Sequence, residues 1–115
     1  LQTHGCQWRD FVALLDVCGI LCAATGAGLD PGIYNLGLGE SMTVRSVAEL
    51  VRDAFEACTG SRPTLVAADP PAHLPVPYRV VVDRLGAFGL APTTPVRSAV
   101  EETARFCVAN RGSLQ

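Results

Sequence analysis

Apolar residues recur along this chain in short blocks set apart by glycine and proline, and the spacing within each block predicts a helix or a strand. Residues 7–13 open polar and turn apolar through Trp8, Phe11 and Val12, which reads as a strand. Asp16 follows where a carboxylate can accept hydrogen bonds from the free amides of a first helical turn. It therefore predicts the N-cap of a helix from Val17 to Thr25, with Val17, Ile20, Leu21 and Ala24 on one face. Gly26, Gly28 and the Asp30-Pro31-Gly32 turn stop that helix. Ile33-Tyr34-Asn35-Leu36 reads as a short buried strand ending in Gly37-Leu38-Gly39. The clearest helix comes next: Thr43 as N-cap, then Val44, Val47, Ala48, Val51, Ala54, Phe55 and Cys58 at helical spacing, closed by Gly60.

The second half is more broken. Residues 63–68 read as a strand, and the four prolines Pro70, Pro71, Pro75 and Pro77 impose an irregular, extended loop. Val80-Val81-Val82-Asp83 reads as a short strand and residues 84–90 as a helical turn broken by Ala91-Pro92. Thr94 is placed to cap the last helix, with Pro95 at its first position, where a missing amide costs nothing. Val96, Val100, Ala104, Cys107 and Val108 form its inner stripe, and Asn110-Arg111-Gly112 closes it. Strands alternate with helices and no internal repeat occurs, so the expected class is α/β.

Composition narrows the partners. A chain of 115 residues is one domain or part of one, and 49% hydrophobic against 17% charged residues argues against disorder. The sparse charge points to apolar surface that meets another domain or subunit. The net charge of -2 and the scattered basic residues form no stripe for nucleic acid. No apolar run approaches the ~18 residues of a membrane span. Leu1-Gln2-Thr3-His4 is neither a signal peptide nor an initiation site, which reads as a fragment or a processed product. The five cysteines, an odd number without a C-x-x-C pair, read as free buried thiols of a cytoplasmic protein. Cys18 and Cys22 lie at i,i+4, but no nearby His or Cys completes a metal site, and none is expected.

The order of the motifs carries a resemblance. It runs from Gly5 to Val12 with Asp16-Val17, through Tyr34-Asn35-Leu36-Gly37 with Gly39-Glu40, and Thr43-Val44-Arg45 into Ala48-Glu49-Leu50. Asp83 ahead of Leu85-Gly86 and Pro95 leading to Val100-Glu101-Glu102-Thr103 complete it. Over nearly the whole chain this resembles the C-terminal, substrate-binding part of the extended short-chain dehydrogenase/reductases, in the NAD-dependent epimerase/dehydratase group. The resemblance implies the C-terminal portion of a Rossmann-like α/β fold, with a small mixed sheet and about three main helices. Residues 1–40 would be a strand-helix-strand segment that packs on an NAD-binding Rossmann domain, and residues 41–115 a small α/β substrate-binding domain.

The family's glycine-rich G-x-x-G-x-x-G turn for the NAD pyrophosphate does not occur here. Nor does its Tyr-x-x-x-Lys pair, because all nine basic residues are arginines. This chain is expected to contribute no catalytic residue and to bind no cofactor itself; NAD(P) is implied for the full-length protein.

Three residues become site candidates through the resemblance. The arginine of the family's R-D-F or R-D-Y segment contacts the diphosphate of a sugar nucleotide, which assigns that role to Arg9. The chemistry fits, since a guanidinium is always charged and its fork matches phosphate oxygens bidentately. Relatives often place a second phosphate-binding arginine in the loop before Asp83. Here that stretch holds His73, resembling the loop histidine of dehydratase-like members, and no arginine before Arg79, which stands in as the replacement. The bland alternatives are an Arg9 paired with Asp10, an exposed loop histidine, and a purely structural Gly37-Leu38-Gly39 turn. Trp8 reads as a core or interface residue.

The resulting expectation is the substrate-binding portion of an NAD-dependent nucleotide-sugar epimerase or dehydratase. Its partners would be a nucleotide-diphosphate sugar, the NAD-binding domain and, as in full-length relatives, a second copy in a homodimer. The family mechanism oxidises a sugar carbon to a ketone reversibly at the nicotinamide before epimerisation, elimination or reduction. Two alternatives stay open: an extended reductase for a non-nucleotide ketone, and a non-catalytic module binding a nucleotide or a protein.

Overall fold

The computed structural model describes Leu1 and residues 3–112. The elements in chain order are β1 (Trp8–Arg9), α1 (Leu14–Ala24), β2 (Met42–Thr43), α2 (Val44–Thr59), α3 (Asp83–Gly86) and α4 (Val96–Ala109). The architecture is a small α/β arrangement in which the sheet is reduced to one antiparallel pair, Trp8 opposite Thr43 and Arg9 opposite Met42. The ladder runs on into the start of α2, where Val44 N–H donates to Gln7 O at 2.9 Å and Arg45 N–H to Gly5 O at 2.8 Å.

α2 forms as its sequence dictates. Thr43 Oγ1 accepts from Ser46 N–H at 3.0 Å, and Gly60 ends the helix in the left-handed region at φ 71°, its amide donating to Glu56 O. Arg62, just beyond, folds back to pair with Glu56 and Asp53, and the Glu56 carboxylate raises its guanidinium pKa further. The principal tertiary contact is α2 against α4. The buried residue of α2 is Ala54 and that of α4 is Ala104, small side chains that let two helix backbones approach closely. Ile20 and Leu85 complete the buried apolar set.

Several expectations are corrected. The mixed sheet is absent among the described residues: positions 33–36, 63–68 and 80–82 carry no ladder, because each lacks a neighbouring strand edge to bond. Asp83, read as the end of a strand, begins α3. Asp16 does not cap α1, which starts two residues earlier at Leu14 with Ala13 at the N-cap. Thr94 does not cap α4, whose N-cap is Pro95 with no side-chain hydrogen bond. The two threads join, for Asp16 accepts from Thr93 N–H at 3.0 Å, Thr94 N–H at 2.8 Å and Thr94 Oγ1 at 3.0 Å. These bonds, the Thr94 amide first, hold the Asp16 carboxyl below its ordinary pKa.

The thiols are free, yet Cys18, Cys22, Cys58 and Cys107 are exposed rather than buried and Cys6 is half-buried. Their helices present apolar outer faces that nothing among the described residues covers. On α1, Leu14 is 75% and Leu15 71% exposed, and Ile33 beyond it is 84% exposed. The radius of gyration is 16.9 Å, against about 13 Å for a compact domain of this length. The accessible surface of 7875 Å² likewise exceeds the roughly 6,000 Å² of a closed monomer of this mass. The fold leaves surface on offer, as the low charge content implied.

Candidate functional site

The period of two in a strand sends Trp8 and Asp10 to one side of β1 and its extension, and Arg9 to the other. Asp10 turns to the Gly37-Leu38-Gly39 bend, where Oδ1 accepts from Leu38 N–H and Oδ2 from Gly39 N–H, both at 2.9 Å. The bend is built around that carboxylate: a methyl on Gly37 would lie 2.9 Å from Asp10 Oδ2, and Gly39 has φ +74°. Among the described residues Arg9 and Asp10 form no ion pair: Asp10 has its partners in the bend and Arg9 donates to Trp8 O. The same contact decides whether these glycines suit a pyrophosphate. They do not, because the two amides that would donate to phosphate already donate to a carboxylate.

Arg9, exposed, donates from Nη1 to its neighbour's carbonyl, Trp8 O, at 2.7 Å. Its side chain borders a hollow of about 480 Å³ walled by Phe11, Val44, Val51, Phe55 and Leu65. Arg52 of α2 borders the same hollow. No carboxylate contributes to its wall.

The other two candidates lie elsewhere. His73 is exposed on the proline-rich segment, and no hydrogen bond to its ring occurs among the described residues. Arg79, also exposed, flanks the glycine bend, its Nε 3.7 Å from where a Gly39 methyl would sit. Neither borders the Arg9 hollow. The segment that carries them is fastened from beneath by side chains reaching its carbonyls: Trp8 Nε1 to Pro75 O at 3.0 Å, Ser41 Oγ to Tyr78 O at 2.6 Å and Asn35 Nδ2 to Val81 O at 3.0 Å. Trp8 thus acts as an anchor for the segment, half-buried rather than in the core. Arg84 is accounted for as well, stacked 4.7 Å from the Tyr34 ring centroid and donating to Ile33 O at 2.8 Å.

A second, larger cleft of about 920 Å³ opens between residues 11–15, α2 and α4. Phe11, Leu14, Leu15, Phe55 and Phe106 line it, with Glu102 and Arg111 as its charged residues. Among the described residues no group of three His, Cys, Asp or Glu side chains is placed to hold a metal ion. No helix among them is long and apolar enough to cross a membrane.

No protein-family model matches this chain, and no curated protein matches it. The fold does have a counterpart among solved structures. The Bordetella bronchiseptica enzyme WbmF, crystallised in complex with NADH, superposes with a TM-score of 0.81 over 99% of this chain, at 19% identity. The chain spans a third of that protein's length, 33%. The likeness establishes the fold: 115 residues with the architecture of one part of a larger enzyme.

Proposed function

We propose that this chain is the substrate-binding portion of an NAD-dependent nucleotide-sugar epimerase or dehydratase, and that Arg9 holds the diphosphate. The observation that carries the proposal is an exposed Arg9, free of any carboxylate partner among the described residues, beside an apolar hollow that no acidic side chain lines. An exposed guanidinium next to an apolar hollow suits a ligand with one anionic and one flat or apolar end, as a nucleoside diphosphate has. The fold shared with part of an enzyme crystallised with NADH supports the wider family reading.

In this reading the ligand's base or ribose enters the hollow against Val44 and Phe55, while the guanidinium fork takes phosphate oxygens. The chain's own part is to bind and orient. In this reading the Tyr-x-x-x-Lys pair and the glycine-rich cradle for the cofactor, which this sequence does not contain, are supplied from outside it. Those would belong to an NAD-binding domain seated on residues 1–40, where the bare faces of α1 and Ile33 await cover. The larger cleft, continuous with residues 11–15, would extend the same contact. His73 and Arg79, on the segment that the Trp8 and Ser41 bonds fasten, would meet a more distant part of the ligand. Calorimetric titration with nucleoside diphosphates and their sugars, alongside Arg9→Ala, tests the proposal.

A further inference from the structure

We propose that residues 68–79 form a stiff strap that swings between a closed and an open position, and that Trp8 is its latch. The strap rests on contacts within the chain alone, whatever ligand the site takes. Both of its ends are fixed. On one side Leu65 and Ala67 are half-buried, Leu65 in the wall of the smaller hollow. On the other, Val80 Cγ1 lies 3.2 Å from where a Gly37 methyl would sit, and Val82 Cγ2 3.6 Å from that of Gly39, both glycines being buried. Val82 O then accepts from the amides of Leu85 and Gly86 at 3.1 and 3.0 Å.

Between these ends every residue from Ala68 to Arg79 is exposed, Leu74 by 66% and Val76 by 82%. No backbone amide of the stretch donates a hydrogen bond among the described residues. Two side chains from the body hold it shut: Trp8 Nε1 donates to Pro75 O at 3.0 Å and Ser41 Oγ to Tyr78 O at 2.6 Å. With little apolar burial and no ladder, closure depends on those two bonds, which places opening at the low end of the free energies of local motion.

Composition makes this a strap rather than a floppy loop. Pro70, Pro71, Pro75 and Pro77 lock their φ angles, and no glycine lies between Ala68 and Arg79. The bonded carbonyls of residues 75 and 78 stand three apart, the repeat of a polyproline II helix, and Val81 O, three further on, takes Asn35 Nδ2. A stiff segment does not release one of these carbonyls and keep the next, so the Trp8 and Ser41 bonds open together. Trp8, the neighbour of Arg9 on β1, thereby sets the place of both His73 and Arg79.

Limited trypsin digestion read by mass spectrometry tests this on the natural chain, Trp8→Phe and Ser41→Ala. Arg79 is the tryptic site of the strap, and cleavage after it follows the open population where opening is fast beside cleavage. Trp8→Phe keeps a ring and loses the donor, and losing one such bond predicts cleavage after Arg79 about three- to tenfold faster. Ser41→Ala predicts a similar gain, while cleavage after Arg52 in α2 and Arg97 in α4 keeps its rate within about twofold. A gain in only one of the two variants overturns the strap, since its bonds would then open separately. No gain in either overturns it too. Equal gains after Arg52 and Arg97 overturn it as well, for Trp8 then supports the whole fold. Should Trp8→Phe fail to fold, Ser41→Ala decides through Trp8, the one tryptophan of the chain. Freeing Tyr78 O must then free Pro75 O, so acrylamide quenching of the indole fluorescence rises in Ser41→Ala; unchanged quenching overturns the proposal.

Discussion

Asp10 carries Gly39 across 29 positions of sequence, its Oδ2 accepting the Gly39 amide at 2.9 Å while Oδ1 takes that of Leu38. This bond orders the region around Arg9. It commits Asp10 to the bend and frees its arginine neighbour to face the other way.

The bend and the carboxylate should behave as one unit. Asp10→Ala leaves two part-buried amides without acceptors, a loss of roughly 1–3 kcal/mol. Gly37→Ala drives a methyl to 2.9 Å from Asp10 Oδ2 and 3.2 Å from Val80 Cγ1, and should cost about 1–3 kcal/mol by crowding. In the double variant the methyl no longer meets the carboxylate, so urea unfolding should show the two losses falling short of their sum by at least about 0.5 kcal/mol. Simple additivity would contradict the described geometry.

Asp16 makes stability depend on acid. Its pKa is lowered in the folded chain, above all by the Thr94 amide, then by Thr94 Oγ1 and the Thr93 amide. A carboxylate with a depressed folded pKa contributes stability that is fully present above its unfolded value of about 3.9. That contribution fades as pH falls through the lower, folded value. Melting temperatures followed from pH 5 to about pH 2 should therefore drop less steeply for Asp16→Asn than for the natural chain. Equal slopes would mean that the Asp16–Thr94 contact carries no stability.

The bare face of α1 should be dispensable for the stability of the chain by itself. Leu15 is 71% exposed beside the larger cleft, so Leu15→Gln should shift stability by no more than about 0.5 kcal/mol. The same substitution should reduce fluorescence of the apolar dye ANS bound at the cleft. A stability loss above about 1.5 kcal/mol would show that Leu15 packs inside the chain rather than waiting for a partner.

How far the sequence led depended on whether an element is self-sufficient. α2 was legible nearly to the residue, because the Thr43 cap, the apolar stripe and Gly60 all lie within it. α4 was legible through its apolar stripe and its Asn110 end, though not through its cap. The segments at 33–36 and 63–68 have strand composition, but a strand becomes one only beside another, and no composition reports whether that neighbour is present. β2 was invisible for the converse reason: two residues, Met42 and Thr43, are too short to show a period. The caps went astray at Asp16 and Thr94 because each offers an oxygen suited to its own helix. The structure instead ties them to one another, a pairing that only tertiary structure reveals. At the site, the role proposed for Arg9 comes from motif order, and the structure adds its exposure and its lack of a carboxylate partner among the described residues.

The central claim is that Arg9 grips a diphosphate, and titrating the chain with UDP- and dTDP-sugars, NAD, and Arg9→Ala tests it most directly. The account predicts binding of at least one sugar nucleotide, no micromolar heat with NAD, and an affinity loss in Arg9→Ala of roughly 1.5–3 kcal/mol, or about 10- to 150-fold. An Arg9→Ala affinity within about twofold of the natural chain would contradict it.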